Sequence, residues 1–374
     1  MSDFDQNNLI DLTSQLIRLP TTADRPDLLG QAVELVISLF SDIPGLVIKR
    51  YEQNGKPSLV ILTKDTLEPD ILLCGHLDVV PAEEPMFEPT IRDGRLYGRG
   101  ACDMKSGAAV LISLMRYFAQ SPMPASLGLM LTTDEECGGA NGVGWLVKEK
   151  NYRTKLAIIP DGGNAPDQVI TKNKGLMHLR LMATGQMAHA SRPWEGSNAI
   201  HQLLEALGSV RKLFPDVAQD QWADTLSIGT IDGGQATNQV AEKATATVDI
   251  RFTEASSPEK ILDSVKKAAP DCQVEVILQG NMSFTAHDHP YLKLYSEVLK
   301  NELNLQAKFQ GTPGGNDGRF LTALGTPVLV VRPISKGLHG PDEWLDVAGL
   351  TAYADLLKKY LIELAKAMYP DKNG

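Results

Sequence analysis

"ILLCGHLDVV", residues 71–80, is the stretch on which the fold reading turns. It opens as a short apolar β-type run and ends with His76 and Asp78 at its carboxyl side. Similar runs recur at LVIKRY (46–51), SLVILT (58–63), LGLMLTT (127–133), KLAIIP (155–160) and PVLVV (327–331), with a further strand at 306–310. Helical periodicity occupies 3–19, 26–40, 104–119, 140–149, 290–303 and 346–367, and another helix starts at 317. TIRDGRLYG (90–98) predicts a hairpin turning on Asp93–Gly94. Strands alternating with helices predict an α/β fold, a mixed sheet covered by helices on both faces.

The middle of the chain has a different order. From 169 it reads strand (VITKNKGLMHLRLMATG), helix (SNAIHQLLEALGSVRKLF), strand (TLSIGTID), strand (ATATVDIRF), helix (SPEKILDSVKKAA) and strand (CQVEVILQG). This β-α-β-β-α-β order is the ferredoxin-like one. A chain of 374 residues is too long for one ordinary core. The expected division is a split catalytic domain, 1–172 plus 283–374, carrying an inserted α+β lid domain at 173–282.

A net charge of -10 argues against nucleic acid or an anionic membrane as partner. No apolar run reaches the roughly 18 residues of a membrane span. The acidic, polar start lacks the features of a signal peptide, so a cytoplasmic location is expected. Cys74, Cys102, Cys137 and Cys272 form no CxxC pair and are too sparse for a disulfide framework. In a strand, Cys74 would share a face with His76 and Asp78.

The strand ends carry the chemistry. After successive β-type runs stand His76 and Asp78, then Asp103, then Asp134-Glu135-Glu136, then Asp161, then His339. In an open α/β sheet, ligands bind at the carboxyl ends of the strands. Imidazoles and carboxylates converging there are the nitrogen and oxygen donors of a divalent zinc or manganese site. Each feature alone is weak, since an H-x-D or an E-E pair is common on solvated surfaces. The set of five strand ends with one donor chemistry is not.

GHLDVVP (75–81), GRGACDMKSG (98–107), TTDEECGG (132–139), GQMAHASRPWEGSNAI (185–200) and HGPDEW (339–344) resemble the motifs of the co-catalytic di-zinc peptidases and deacylases, in the same order. That family includes carboxypeptidase G, aminoacylase, acetylornithine deacetylase, succinyl-diaminopimelate desuccinylase and several di- and tripeptidases. The resemblance implies two divalent ions, zinc with manganese or cobalt as alternatives. It makes His76 and Asp161 ligands of one and Glu136 and His339 ligands of the other, with Asp103 bridging after a cis Asp103–Met104 bond. Asp78 would orient His76. Glu135 would be the general base toward a water between the cations. His189, often supplied by the partner subunit in the family, would stabilise the oxyanion, a contribution of about 2.7–4 kcal/mol.

Asn238 and Arg251 match substrate-binding positions, and Gly315 and Asn316 in GTPGGNDGRF (311–320) match a loop lining the pocket. Arg319 is a weaker candidate in the same loop, since an arginine at a helix start is most often solvated. His287 and His289 read as a surface turn before Pro290, and His178 and His201 as packing or surface residues. Two features pull apart on substrate. Asp161 in IIPDGGN (158–164), where deacylases carry Glu, is more typical of aminopeptidases and dipeptidases, while GGNDGRF resembles a desuccinylase loop. The expected enzyme is a metal-dependent exopeptidase or dipeptidase, homodimeric through the inserted domain. The alternative is an N-acyl amino acid amidohydrolase. A catalytically silent binding protein would lose the base or ligands, and all six residues are present.

Overall fold

The computed structural model describes residues 4–214, 216–218 and 221–370. The chain forms two compact units. One runs to Lys172 and includes Phe284–Thr312 and the chain from Asn316 on; the other is Asn173–Ser283 with Pro313–Gly315. The three-residue return of the glycine-rich loop to the second unit has no counterpart in the expected boundaries.

The first unit is built on a nine-stranded mixed sheet. At its centre Leu127–Thr132, Ile71–His76, Leu156–Ile159 and Val328–Val330 run parallel. Antiparallel strands flank them, Lys56–Leu62 against Leu127–Thr132 and Gln168–Asn173 against Val328–Val330. The unbroken apolar runs have a physical cause here: both faces of the sheet are buried. Successive side chains of a strand alternate between faces. Ile71 and Leu73 join one core with Leu127, Leu129, Leu131, Leu156 and Ile158. Leu72 and Cys74 join the other with Met130, Ala157 and Ile159. Helices Gln6–Ile17, Lys105–Gln120, Pro290–Leu303 and Val347–Met368 bury apolar residues in the first core, and helix Val143–Lys148 does so in the second. Burying one such Leu or Ile fully stabilises the fold by roughly 1.5–3 kcal/mol.

Helix boundaries follow local chemistry. Gln6–Ile17 starts where the Asp5 carboxylate accepts the N–H groups of Asn7 and Asn8. Residue 3, where the sequence placed the start, lies outside the described residues. His289 caps Pro290–Leu303 by accepting the Tyr291 N–H at 3.3 Å. The Asp93–Gly94 turn has both residues at positive φ, 50° and 72°, as a tight hairpin requires. The helix expected from 317 is only Gly318–Thr322. Among the described residues no helix is long and apolar enough to cross a membrane.

The second unit holds a four-stranded antiparallel sheet in the order Thr225–Gly233, Lys243–Phe252, Gly175–Thr184, Cys272–Gly280. Met177, Leu179, Leu181 and Ala183 are buried, alternate with half-buried neighbours, and pack with Ala246, Val248 and Ile250 against Leu203, Leu207, Ile261 and Val265 of two helices. The ferredoxin-like order is thus present. The run read as one strand from 169 is two, Gln168–Asn173 and Gly175–Thr184, parted at Lys174. Lys174 is buried and donates to the Ala223 carbonyl at 2.6 Å. A Cβ at Gly175 would stand 2.1 Å from the Phe252 ring.

Asp70 ties the far edge of the large sheet together. Its carboxylate accepts the N–H and hydroxyl of Ser126, both at 2.8 Å, and the Tyr369 hydroxyl at 2.7 Å, and pairs with Lys155 at 2.7 Å. Burial pushes the acid upward, but Lys155 and the Ser126 donors outweigh it and hold the group down at about 2. A depressed folded pKa stabilises above the unfolded value, and that stability is lost as pH falls through the folded one. Wild type should therefore lose about 1–2 kcal/mol between pH 4 and 2, after allowance for solvent screening, and Asp70→Asn should lose that slope. Urea midpoints at pH 6, 4 and 2 check this; parallel curves for the two proteins would refute it.

Candidate metal centre

Register brings the donors to one edge. His76 pairs with Thr132 in parallel, and Leu77 then donates to the Thr132 carbonyl at 2.8 Å. His76 and the Asp134–Glu136 segment therefore leave neighbouring strands at the same level. Asp161 follows the next strand, two residues past Ile159. The three-residue turn Glu135–Cys137 is anchored by Asp78, whose two carboxylate oxygens accept the N–H groups of Glu135 at 3.3 Å and Glu136 at 3.0 Å. Asp134, for which the sequence offers no role, accepts the N–H groups of Asn141 at 2.7 Å and Gly142 at 3.0 Å. The turn exits through Gly138 and Gly139, both at positive φ.

Two donor groups result, His76 with Glu135 and Asp161, and Asp103 with Glu136 and His339. Within each, the ligand atoms all lie within 4.8 Å of one another. Asp103 stands between the two imidazoles. Its Oδ1 is 3.3 Å from His76 Nε2 and its Oδ2 is 3.3 Å from His339 Nε2, which also lies 3.2 Å from Glu136 Oε1. Asp78 lies past the end of the strand. His76 Nδ1 meets its backbone carbonyl at 3.0 Å and its Oδ1 at 3.5 Å. The Nδ1–H thus donates to the carbonyl, and the Nε2 lone pair faces Asp103. His76 Nε2 and Asp103 Oδ1 are buried and have no hydrogen-bond partner. A lone pair aimed at a carboxylate oxygen fits a cation between them.

The electrostatics make the same demand. Burial, with Asp161 nearby, pushes Glu135 well up. Burial, with Asp103 nearby, does the same to Asp161. Burial disfavours a charged His76, but Asp103 and Asp78 outweigh it and raise that group. Asp103 and Glu136 lift His339 to about 10. Carboxylates this crowded and dry favour whatever positive charge they can recruit.

Glu343 holds the loop that presents Asp103. It is 1% exposed and accepts the N–H groups of Gly100 at 3.1 Å, Cys102 at 2.8 Å and Asp103 at 2.9 Å. Arg99 donates to it at 2.6 Å and to the His339 carbonyl at 3.2 Å. The Asp103–Met104 bond is cis. Lys105, buried behind the loop, donates to the carbonyls of Leu16 and Leu19 at 2.8 and 2.6 Å. Arg332 donates to Asp161 Oδ1 at 2.8 Å. None of these supporting residues was singled out by sequence. The signal for Glu343 was its place in HGPDEW, four residues past His339.

The remaining candidates are placed as follows. Asn316 is 1% exposed, and its amide donates to the Asp161 carbonyl at 3.2 Å and accepts the Gly318 N–H at 3.0 Å. These two bonds hold the loop in place. Arg319 is buried, not solvated, and donates to the Gly138 carbonyl at 2.7 Å. Cys74 is packed in the core, and all four cysteines are free. In the second unit His189 is exposed, and its Nδ1 accepts from the Ser191 N–H at 3.2 Å with the Ser191 hydroxyl at 2.8 Å. His189 and Asn238 lie on paired segments, with the Ala190 N–H donating to the Asn238 carbonyl at 2.9 Å. Arg251 grips Asp249 with two bonds of 2.8 and 3.0 Å, and His178 meets the same carboxylate at 3.2 Å. Gly315 is exposed in the loop that belongs with this unit.

A family model described as Peptidase family M20/M25/M40 matches residues 72–363. Succinyl-diaminopimelate desuccinylase of Delftia acidovorans is 29% identical over 317 residues, 80% of this chain and 82% of that protein. Succinyl-diaminopimelate desuccinylase 2 of a Ruegeria species is 29% identical over 380 residues, 94% of each chain. Among solved structures, aminopeptidase PepT of Bacillus cereus superposes with TM-score 0.79 at 19% identity, over 97% of this chain and 99% of that one. A tripeptidase of Staphylococcus aureus does so with TM-score 0.79 at 20% identity, over the same shares.

Removing Glu343 would strand a buried guanidinium and three N–H groups. Glu343→Ala should cost roughly 3–5 kcal/mol of stability in cation-free protein, and Glu343→Gln less than that. Chemical denaturation measures it; a loss below about 1 kcal/mol would refute the anchoring role.

Proposed function

We propose, on the premise that this chain belongs to peptidase family M20/M25/M40 and is a metal-dependent hydrolase of amide bonds, that it cleaves short peptides next to one end with Glu135 as general base. The observation that carries this is Asp103, one oxygen 3.3 Å from each of two imidazoles, with an acid from each donor group beside it. His76 and Asp161 would hold one divalent ion, Glu136 and His339 the other, and Asp103 both. Imidazole and carboxylate donors suit zinc, with manganese or cobalt as alternatives. Bound there, such ions supply Lewis acidity and lower the pKa of water.

The chain's own residues do the rest. Glu135 is partly buried and crowded by Asp161, which makes it a stronger base than an ordinary carboxylate. It takes a proton from the attacking water and returns it to the leaving amine. Asp78 keeps Glu135 and Glu136 apart in role, because its grip on both N–H groups fixes the turn from which they diverge. His189 accepts at Nδ1 from Ser191, so its proton resides on Nε2, where it can donate to an oxyanion. Asn238, Arg251, Gly315 and Asn316 are assigned to substrate, with Asp249 orienting Arg251. A homodimer formed through the second unit and a cytoplasmic location belong to the same proposal; the four free cysteines agree with a reducing compartment.

A second reading, hydrolysis of N-acyl amino acids, is favoured by the desuccinylases at 29% identity. Protein reconstituted with Zn, Mn or Co should be offered di- and tripeptides beside N-acetyl and N-succinyl amino acids. Peptides turned over at least ~10-fold faster in kcat/KM support the first reading, and the reverse ratio selects the second. Turnover of neither would sink both. Glu135→Ala should lower kcat by roughly 10²–10⁴-fold while metal analysis still finds two ions per chain. Parallel loss of metal and activity would make Glu135 a ligand instead.

A further inference from the structure

Arg332 is a fixed positive charge built into a cradle for cations. It is 3% exposed, with Nη2 2.8 Å from Asp161 Oδ1 and 3.9 Å from Asp103 Oδ1, and Nη1 2.9 Å from Cys102 Sγ. Sheet register puts it there. Val330 pairs with Ile159 in parallel, and Arg332 and Asp161 each stand two residues farther along. Burial disfavours its charge, but Asp103, Cys102 and Asp161 outweigh that and keep the guanidinium protonated.

The arrangement is one-sided. Arg332 touches the acid grouped with His76. Among the described residues no lysine or arginine pairs with Glu136, the His339 imidazole meets Glu136 and Asp103, and the Arg99 guanidinium that donates to the His339 carbonyl is paired with Glu343, which is not a donor of either group. A like charge within a few ångströms, at low dielectric, opposes a cation more strongly than any exposed group could. The same guanidinium occupies one oxygen of Asp161 and leaves the other for a ligand bond.

We propose that Arg332 makes the two cation positions unequal. Its charge weakens the position of His76 and Asp161, so the position of Glu136 and His339 fills first. Occupancy of the weaker position then follows cation supply over a range in which the tighter one is already full. The inference rests on the two-ion reading above.

Calorimetric titration of cation-free protein with Zn²⁺ tests it without reference to activity. Wild type should show two steps, the weaker absent in His76→Ala and the tighter absent in His339→Ala. In Arg332→Met and Arg332→Gln the weaker step should tighten by ~10-fold or more while the tighter one stays within about threefold. A single class of equal steps in wild type would overturn the proposal. So would a weaker step left unchanged or loosened in the neutral variants. Failure of both variants to fold with Zn²⁺ present would assign Arg332 a scaffold role and also overturn it. Wild type that binds no Zn²⁺ would instead refute the two-ion reading.

Discussion

The carboxylate of Glu343, sealed from water beneath the loop 99–103, is the contact on which the donor arrangement depends. It gathers three backbone N–H groups and the Arg99 guanidinium from a segment about 240 positions away in sequence. The last of those N–H groups belongs to Asp103 itself. Once that loop is fixed, Asp103 has an oxygen for each imidazole, and both donor groups fall within ligand range. Burying a carboxylate is costly unless its lone pairs are satisfied, and here four donors satisfy them.

The rest of the site repeats this economy of charge. Asp78 accepts the N–H groups of Glu135 and Glu136, and one oxygen of Asp134 accepts those of Asn141 and Gly142. Asp78 and Glu343 thus orient segments that carry donors. The donors themselves remain under-satisfied, with buried His76 Nε2 and Asp103 Oδ1 lacking partners.

The large sheet was legible because it is buried on both faces. Continuous runs such as LGLMLTT and KLAIIP have no other use in a chain of this composition. The ferredoxin-like order of the second unit was legible from alternation and turn spacing. The break at Lys174 was not, because VITKNKGLMHLRLMATG is β-type throughout and only tertiary packing of Gly175 on Phe252 and of Lys174 under Ala223 divides it. The burial of Asn316 and Arg319 was not legible for a related reason. A glycine-rich loop reads as open, yet both side chains are buried and engaged with the carbonyls of Asp161 and Gly138.

Sequence by itself determined the fold class and the set of donor-type residues at the strand ends, because apolar periodicity and motif order are local properties of the chain. Tertiary structure alone decided the distances between the donors, and that Arg332 and Glu343 stand against them. Those are contacts across strands and loops far apart in the chain, set by sheet register and burial, and no local pattern encodes a distance between residues 103 and 343 or 161 and 332.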